Sequence, residues 1–303
     1  MKKILFNGKR IILSALVTVL LLSGIVPVRG KCADEGKFLY TAVNGRVIIT
    51  GFDGEPEFLE IPQVIDNCPV TETANGAFYG CRSLKRVVLP PTMRKIGDSS
   101  FYACGSLKEA ILPASLEKLG CSAFCGCTEL EHIIIPDTVR EIPESCFRAC
   151  TALTEVNVPS GIKHIGNYAF SGCTSLERVT LGDGLSTIGE RAFFMCGRLD
   201  NICLPSSLTE LSTESLGFVP SNDGASPMAG FTVSGKKGSE AQRYAEENGI
   251  KFRPNTDIIR HSSAYHPSKK SGIISELCVI TAFLLFLTIA AAAIPKKAKH
   301  QNH

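Results

Sequence analysis

The stretch Asn75-Gly-Ala-Phe-Tyr-Gly-Cys81-Arg-Ser-Leu84-Lys-Arg-Val87-Val-Leu89-Pro90 decides the fold, because it recurs along the chain with one fixed step. Cysteines stand at Cys81, Cys104, Cys127, Cys150, Cys173 and Cys196, each 23 residues after the last. A phenylalanine precedes each cysteine by three, from Phe78 through Phe101, Phe124, Phe147 and Phe170 to Phe193. A leucine follows each by three, from Leu84 to Leu199. Proline stands nine after the cysteine in five of the six copies, and Gly182 takes its place in the copy of Cys173. Unbroken phase of this kind is the signature of a stacked solenoid.

Two patterns alternate within the unit. Leu84, Val87 and Leu89 are the inward set of a short strand that a proline or glycine closes. Met93, Ile96, Ser100 and Phe101 lie on the return path. Twenty-three residues leave no room for a long helix, so the reading is a loose arc with a short helical turn around Ala-Phe-x-x-Cys. One unit alone does not hold. Ordering its backbone costs roughly 1–2 kcal/mol per residue. Its few apolar side chains return ~1.5–3 kcal/mol each, and only when neighbours bury them fully. The strands of successive units are then expected ~4.8 Å apart in one parallel sheet.

The ends read differently. Phe38–Val43 and Arg46–Thr50 flank Asn44-Gly45, a strand, a two-residue turn and a strand. This hairpin, within residues 31–58, is expected to cover the first open end. The solenoid takes residues 59–216, opening on the irregular strand Leu59-Glu-Ile61-Pro62, with 63–70 absorbing the extra length. Residues 217–252 make the C-terminal cap. Gly217 to Gly230 reads as a loop and Phe231-Thr-Val233 as a last strand. Ser239-x-x-Gln242 forms a capping box for a helix that stops at Asn248-Gly249. Residues 253–272, polar and holding Pro254 and Pro267, read as a stalk.

Residues 1–30 carry a basic start, an apolar run and small side chains before a cleavage point after Gly30, which marks a signal peptide. Leu277 to Ile294 is a second apolar run without a charge, and Ile273 and Ile274 extend it; residues 273–295 read as a transmembrane helix. Lys296, Lys297 and Lys299 in the tail, 296–303, favour a cytoplasmic end and an N-terminus outside. A net charge of +3, 20% charged residues and scattered lysines and arginines exclude a dedicated nucleic-acid binder.

The unit Leu-x-x-Val-x-Leu-Pro-x-x-Leu-x-x-Ile-Gly-x-x-Ala-Phe-x-x-Cys resembles the BspA-like leucine-rich repeats of microbial surface proteins, and Ile165 to Leu176 fits it throughout. The opening Asn44-Gly45…Ile61-Pro62 and the closing Gly238-Ser239…Asn248-Gly249-Ile250 also resemble that family's ends. The resemblance implies a leucine-rich repeat solenoid displayed outside the cell and used in adhesion or protein binding. Departures are local: Gly182 for proline, Cys146 for alanine, Pro143 for glycine and Thr73 for isoleucine.

Of thirteen cysteines, the six in phase read as a buried thiol ladder, since side chains stacked in register do not converge for bonding. Cys121-x-x-x-Cys125-x-Cys127 resembles a thiolate cluster, but Cys127 belongs to the ladder and no histidine lies nearby in sequence, so no metal is assigned. A bridge between Cys32 and Cys68 stays open, as does pairing of Cys121 or Cys125.

Residues flanking the central inward position of each strand face outward. One row is Arg86, Glu109, His132, Glu155, Arg178 and Asn201; the other is Val88, Ile111, Ile134, Asn157, Thr180 and Cys203. The second is apolar for three units, a candidate surface for an extracellular protein or other cell-surface macromolecule. His132 and His164 have different phases, and Glu109 and Glu155 lie two units apart on a flat face. No catalytic set and no cofactor is read from the chain. The function expected is a membrane-anchored adhesin or protein-binding module, with an envelope protein that only self-associates as the alternative.

Overall fold

A coil of 23 residues closes on itself because it holds two strand-forming segments and three turns. The computed structural model describes residues 38–255. The expected signal peptide, transmembrane run and tail lie outside the described residues, as do Cys32, Cys278 and all but the first three positions of the expected stalk. Among the described residues no helix is long and apolar enough to cross a membrane.

The Leu-x-x-Val-x-Leu segments form the front of the stack. Phe58–Glu60, Arg86–Val88, Glu109–Ile111 and His132–Ile133 run parallel and in register, Arg86 beside Glu109 and Glu109 beside His132. The single sheet expected is nevertheless divided. Glu155–Val158 pairs only with Arg178–Leu181, and Asn201–Cys203 starts a third group with Thr232–Gly235 and Lys251–Pro254.

The return side is more regular than a loose arc. Glu141–Ile142, His164–Ile165, Thr187–Ile188 and Glu210–Leu211 make a second parallel ladder. Single bridges Glu72–Lys95–Lys118 carry the same pattern toward the N-terminus. Each short strand turns one apolar side chain inward, such as Ile142, Ile165 and Ile188, all fully buried. That periodicity is what a strand requires, so a ladder forms where two residues suffice.

The Ala-Phe-x-x-Cys corner is not the helical turn expected. Its amides alternate between two partners. Ser100, Tyr102 and Cys104 donate to the carbonyl three residues back, while Ser99, Phe101 and Ala103 donate to the next coil. Ser99 and Ala103 hold positive φ, 53° and 56°, and the same two positions do so in the following coils. Alternation of this kind gives every corner amide a partner and locks each coil to its neighbour. A helix would satisfy the amides within the coil and leave the corners of successive coils unlinked.

Inside the corner the six phenylalanine rings stack, Phe78 to Phe193, with centroids 5.1–5.6 Å apart and planes within 5–14° of parallel. The thiol ladder is present beside them, half-buried at Cys81 and buried from Cys104 to Cys196. Each buried thiol donates to the carbonyl of the phenylalanine in the preceding coil, as Cys150 Sγ does to Phe124 O at 3.2 Å. Cysteine here is both a small filler and a second donor to a carbonyl that already accepts an amide within its own coil, as Phe124 O does from the Cys127 amide.

The irregular positions have local reasons. A Cβ on Gly182 would meet the Ser160 amide at 2.5 Å, so proline's place is taken by the one residue that fits. Thr73 answers its missing isoleucine with hydrogen bonds, to Ser100 Oγ at 2.8 Å and from the Gly97 amide at 3.0 Å. Cys146 is buried at the small-residue position, as expected.

At the N-terminus Phe38–Val43 and Arg46–Phe52 pair antiparallel around Asn44-Gly45, whose φ values of 51° and 71° suit a two-residue turn. This hairpin joins the return side, where Arg46–Phe52 lies parallel to Cys68–Thr73, and it leaves the front strand Phe58–Glu60 at an edge. Residues 63–70 fold into a second small hairpin, Val64–Ile65 against the start of Cys68–Thr73.

At the other end Glu240–Glu247 is a helix whose Ala241, Tyr244 and Ala245 are buried. Tyr244 Oη donates to the Leu216 carbonyl and accepts from the Leu216 amide, which fixes the lid on the stack. Three expectations need correction here. The Gly238 amide donates to Gln242 Oε1 at 2.8 Å, one residue ahead of the cap, and the Ser239 hydroxyl makes no cap bond, so the capping box does not form. The expected loop 217–230 contains an antiparallel hairpin, Phe218–Ser221 with Gly224–Pro227. The expected stalk begins too early, because the strand Lys251–Pro254 adds to the front sheet.

Candidate functional site

The outward rows of the front sheet stand where the strand alternation puts them. Arg86, Glu109, His132, Glu155, Arg178 and Asn201 are all exposed. Four of them are matched across neighbouring strands: Arg86 Nε lies 2.7 Å from Glu109, and Arg178 Nη2 lies 2.8 Å from Glu155. Exposed pairs of this kind contribute ~0–1 kcal/mol each and chiefly fix register. His132 lies between the two pairs, at the place where the sheet divides.

The second row is uneven. Val88 and Ile111 are half-buried, whereas Ile134 is 83% exposed. Asn157, Thr180 and Cys203 are exposed, and Cys203 Sγ reaches Asn255 Oδ1 at 3.6 Å. Ile134 follows the shortest front strand, His132–Ile133, and no ladder joins that strand to Glu155–Val158. The face therefore presents one large apolar side chain beside a gap in backbone pairing, with ion pairs on either side.

The sequence reading missed the N-terminal end of this face. Phe58 is 68% exposed on the edge strand. A groove of about 310 Å³ runs beside it, lined by Phe38, Phe52, Phe58, Leu59, Glu60, Arg86 and Val88. Phe38 and Phe52 meet edge to face at 5.1 Å and form its aromatic wall. The 23-residue phase gives no warning of it, because Phe58 lies in the irregular opening unit. Tyr79 and Tyr102 stack at 4.9 Å on the outer corner and also escaped notice, although their shared phase was visible.

Among the described residues the titratable groups do not assemble a reaction centre. His132 is on the front sheet, and His164 is on the return ladder bonded to Thr187 Oγ1 at 2.9 Å. Burial pushes the ladder thiols up, Cys104 and Cys173 to about 12, with the charge of Cys81 adding to the effect on Cys104. Such thiols are poor nucleophiles and poor metal ligands. Cys121 is exposed while Cys125 and Cys127 are buried, and among the described residues no three metal-ligating side chains converge.

The BspA-type leucine-rich repeat region model matches this chain in six copies, over residues 60–174 and 140–219. The chain belongs to the BspA-type leucine-rich repeat family. A leucine-rich repeat protein of Treponema pallidum is similar at 29% identity, over 74% of this chain and 98% of that one, with a TM-score of 0.56. A leucine-rich cell surface protein of Faecalibacterium prausnitzii shares the fold at 24% identity, over 68% of this chain and 71% of its own, with a TM-score of 0.55. So does a leucine-rich repeat protein of Bacteroides ovatus, at 22% identity, 72% and 66% coverage and a TM-score of 0.54. No curated protein matches.

Proposed function

We propose that this BspA-type repeat protein is a membrane-anchored cell-surface adhesin or protein-binding module that captures an extracellular macromolecule on the front of its solenoid. The observation that carries the reading is Ile134, a large apolar side chain 83% exposed beside unpaired front strands. Isolated apolar residues on a surface are ordinary; this one continues Val88 and Ile111 along one row and is bordered by the Arg86–Glu109 and Glu155–Arg178 pairs. An apolar strip with a polar rim is the composition of a recognition surface. Arg86, Val88, Glu109, Ile111, His132, Ile134, Glu155, Asn157, Arg178 and Thr180 form the proposed contact set.

Display outside the cell is supported by the family, whose members are typically surface proteins, and by the sequence of residues 1–30 and 273–303. No reaction is assigned. The test is capture of a panel of matrix proteins and host cells by the chain and by Ile111→Ser/Ile134→Ser. Loss of capture with an unchanged unfolding transition supports the site. Capture equal to that of the parent protein overturns it.

A further inference from the structure

We propose that the two ends of the front sheet bind each other in successive copies of this chain, so that the solenoid adds head to tail. This goes beyond ligand capture on the outer face and does not depend on it.

Among the described residues both ends of the front sheet are open edges. At the N-terminal end the Arg86 amide donates to Glu57 O and the Ile61 amide to Val88 O. Alternation along the strand then turns the amides and carbonyls of Phe58 and Glu60 away from the sheet. At the C-terminal end the Thr232 amide donates to Asp200 O and the Leu204 amide to Ser234 O. Val233 and Gly235 therefore serve Lys251–Pro254, and the backbone groups of Phe252, with the carbonyl of Pro254, face outward. Phe38 and Phe52 of the hairpin border the groove beside Phe58, and the helix packs against Thr232–Gly235 and Lys251–Pro254, but no described strand pairs with either edge. An open edge is a template for another strand.

The two edges match. Lys251 and Arg253 are exposed on one, while Glu55, Glu57 and Glu60 are exposed on the other. Among the described residues Glu60, Lys251 and Arg253 make no ion pair, whereas the comparable charges inside the sheet do, as in Arg86–Glu109. Strand parity keeps core-facing residues on the core side. A parallel junction then sets Phe252 beside Leu59, Lys251 beside Phe58 and Arg253 beside Glu60. Phe252 N–H donates to Phe58 C=O, and Glu60 N–H donates to Phe252 C=O. Pro62 has no amide, which ends the ladder there. A register two residues back would place Phe252 against Glu57 and Arg253 against Phe58, losing both matches.

The ends also form complementary steps. Lys251–Pro254 stands one coil past the helix on the front, and the hairpin stands ahead of Phe58–Glu60 on the return side. A contact between unlike surfaces leaves one free end of each kind on every pair, so further copies add until the free ends meet or the chain stays open.

The test is sedimentation velocity of the full chain in detergent across a concentration series. The parent protein is expected to grow beyond dimer as concentration rises. Glu60→Arg and Arg253→Glu should each weaken association by about tenfold or more, and the double variant should recover most of it. Glu60→Pro removes the amide that Phe252 needs while leaving every bond within the chain intact, and should also weaken it. Ile111→Ser/Ile134→Ser should associate like the parent, which separates this junction from ligand capture. A monomer at all concentrations, a dimer that grows no further, or single variants indistinguishable from the parent would each overturn the proposal.

Discussion

The inner corner and the outer front face of each coil obey opposite rules. At the corner the residue scarcely changes from coil to coil: six phenylalanines stack in one file and six cysteines stand in the next. On the front face no two adjacent coils carry the same pair of residues, from Arg86 and Val88 to Asn201 and Cys203. The difference arises from what each side chain packs against. A corner residue packs on its own copies above and below, so any change must suit two neighbours at once. A front residue packs on water and is free to vary with whatever it meets. Repetition therefore marks scaffold, and variation marks the face available for recognition.

Alkaline titration should weaken the fold through the corner, where the thiols are buried. The buried thiols hold their protons to about 12 at Cys104 and Cys173, whereas in the unfolded chain thiols ionise near ~8.5. Their raised values stabilise the fold fully below pH ~8.5. Above it the unfolded state sheds protons that the folded state keeps, so stability falls as pH rises toward 12. Denaturant midpoints across this range should fall continuously; a flat profile to pH 11 would contradict the ladder.

Phe124→Ala removes a ring with a partner on both faces, and should cost ~3–5 kcal/mol in denaturant unfolding. Gly166→Ala tests the close approach of coils, since its Cβ would meet the Glu144 amide at 2.6 Å. Overpacking of that kind costs ~1–3 kcal/mol. Cys150→Ala removes the thiol from the Phe124 carbonyl, which keeps the Cys127 amide, and should cost about 0.5–1.5 kcal/mol, against almost nothing for the exposed Cys121→Ala. Alkylation of the native protein should likewise modify Cys121 and spare Cys150. The smallest effect belongs to the face: Ile134→Ser should shift stability by no more than ~0.5 kcal/mol, so any loss of capture reports recognition alone.

Much of this was legible in the chain. The 23-residue phase of phenylalanine, cysteine and leucine placed the core, the front strands and the outward rows, because stacking in register forces sequence to repeat. Asn44-Gly45 and Asn248-Gly249 marked a turn and a helix end through the positive φ that these residues tolerate. The corner was misread as a helical turn because positive φ at Ser99, Ser122 and Tyr168 has no residue signature. The hairpin in 217–230 was hidden by glycine, proline and serine, which serve loops and edge strands alike. Cap bonding at Ser239 could not be foreseen either, since the motif supplies donors and acceptors but not their angles.

Sequence alone determined that this protein is a stack of like coils with a phenylalanine and cysteine interior, since only a periodic core explains so strict a period. Tertiary structure decided which strands pair, where the front sheet divides, and which edges remain open. Those outcomes depend on hydrogen bonds between coils, which are made by backbone groups common to every residue and so leave little trace in side-chain identity.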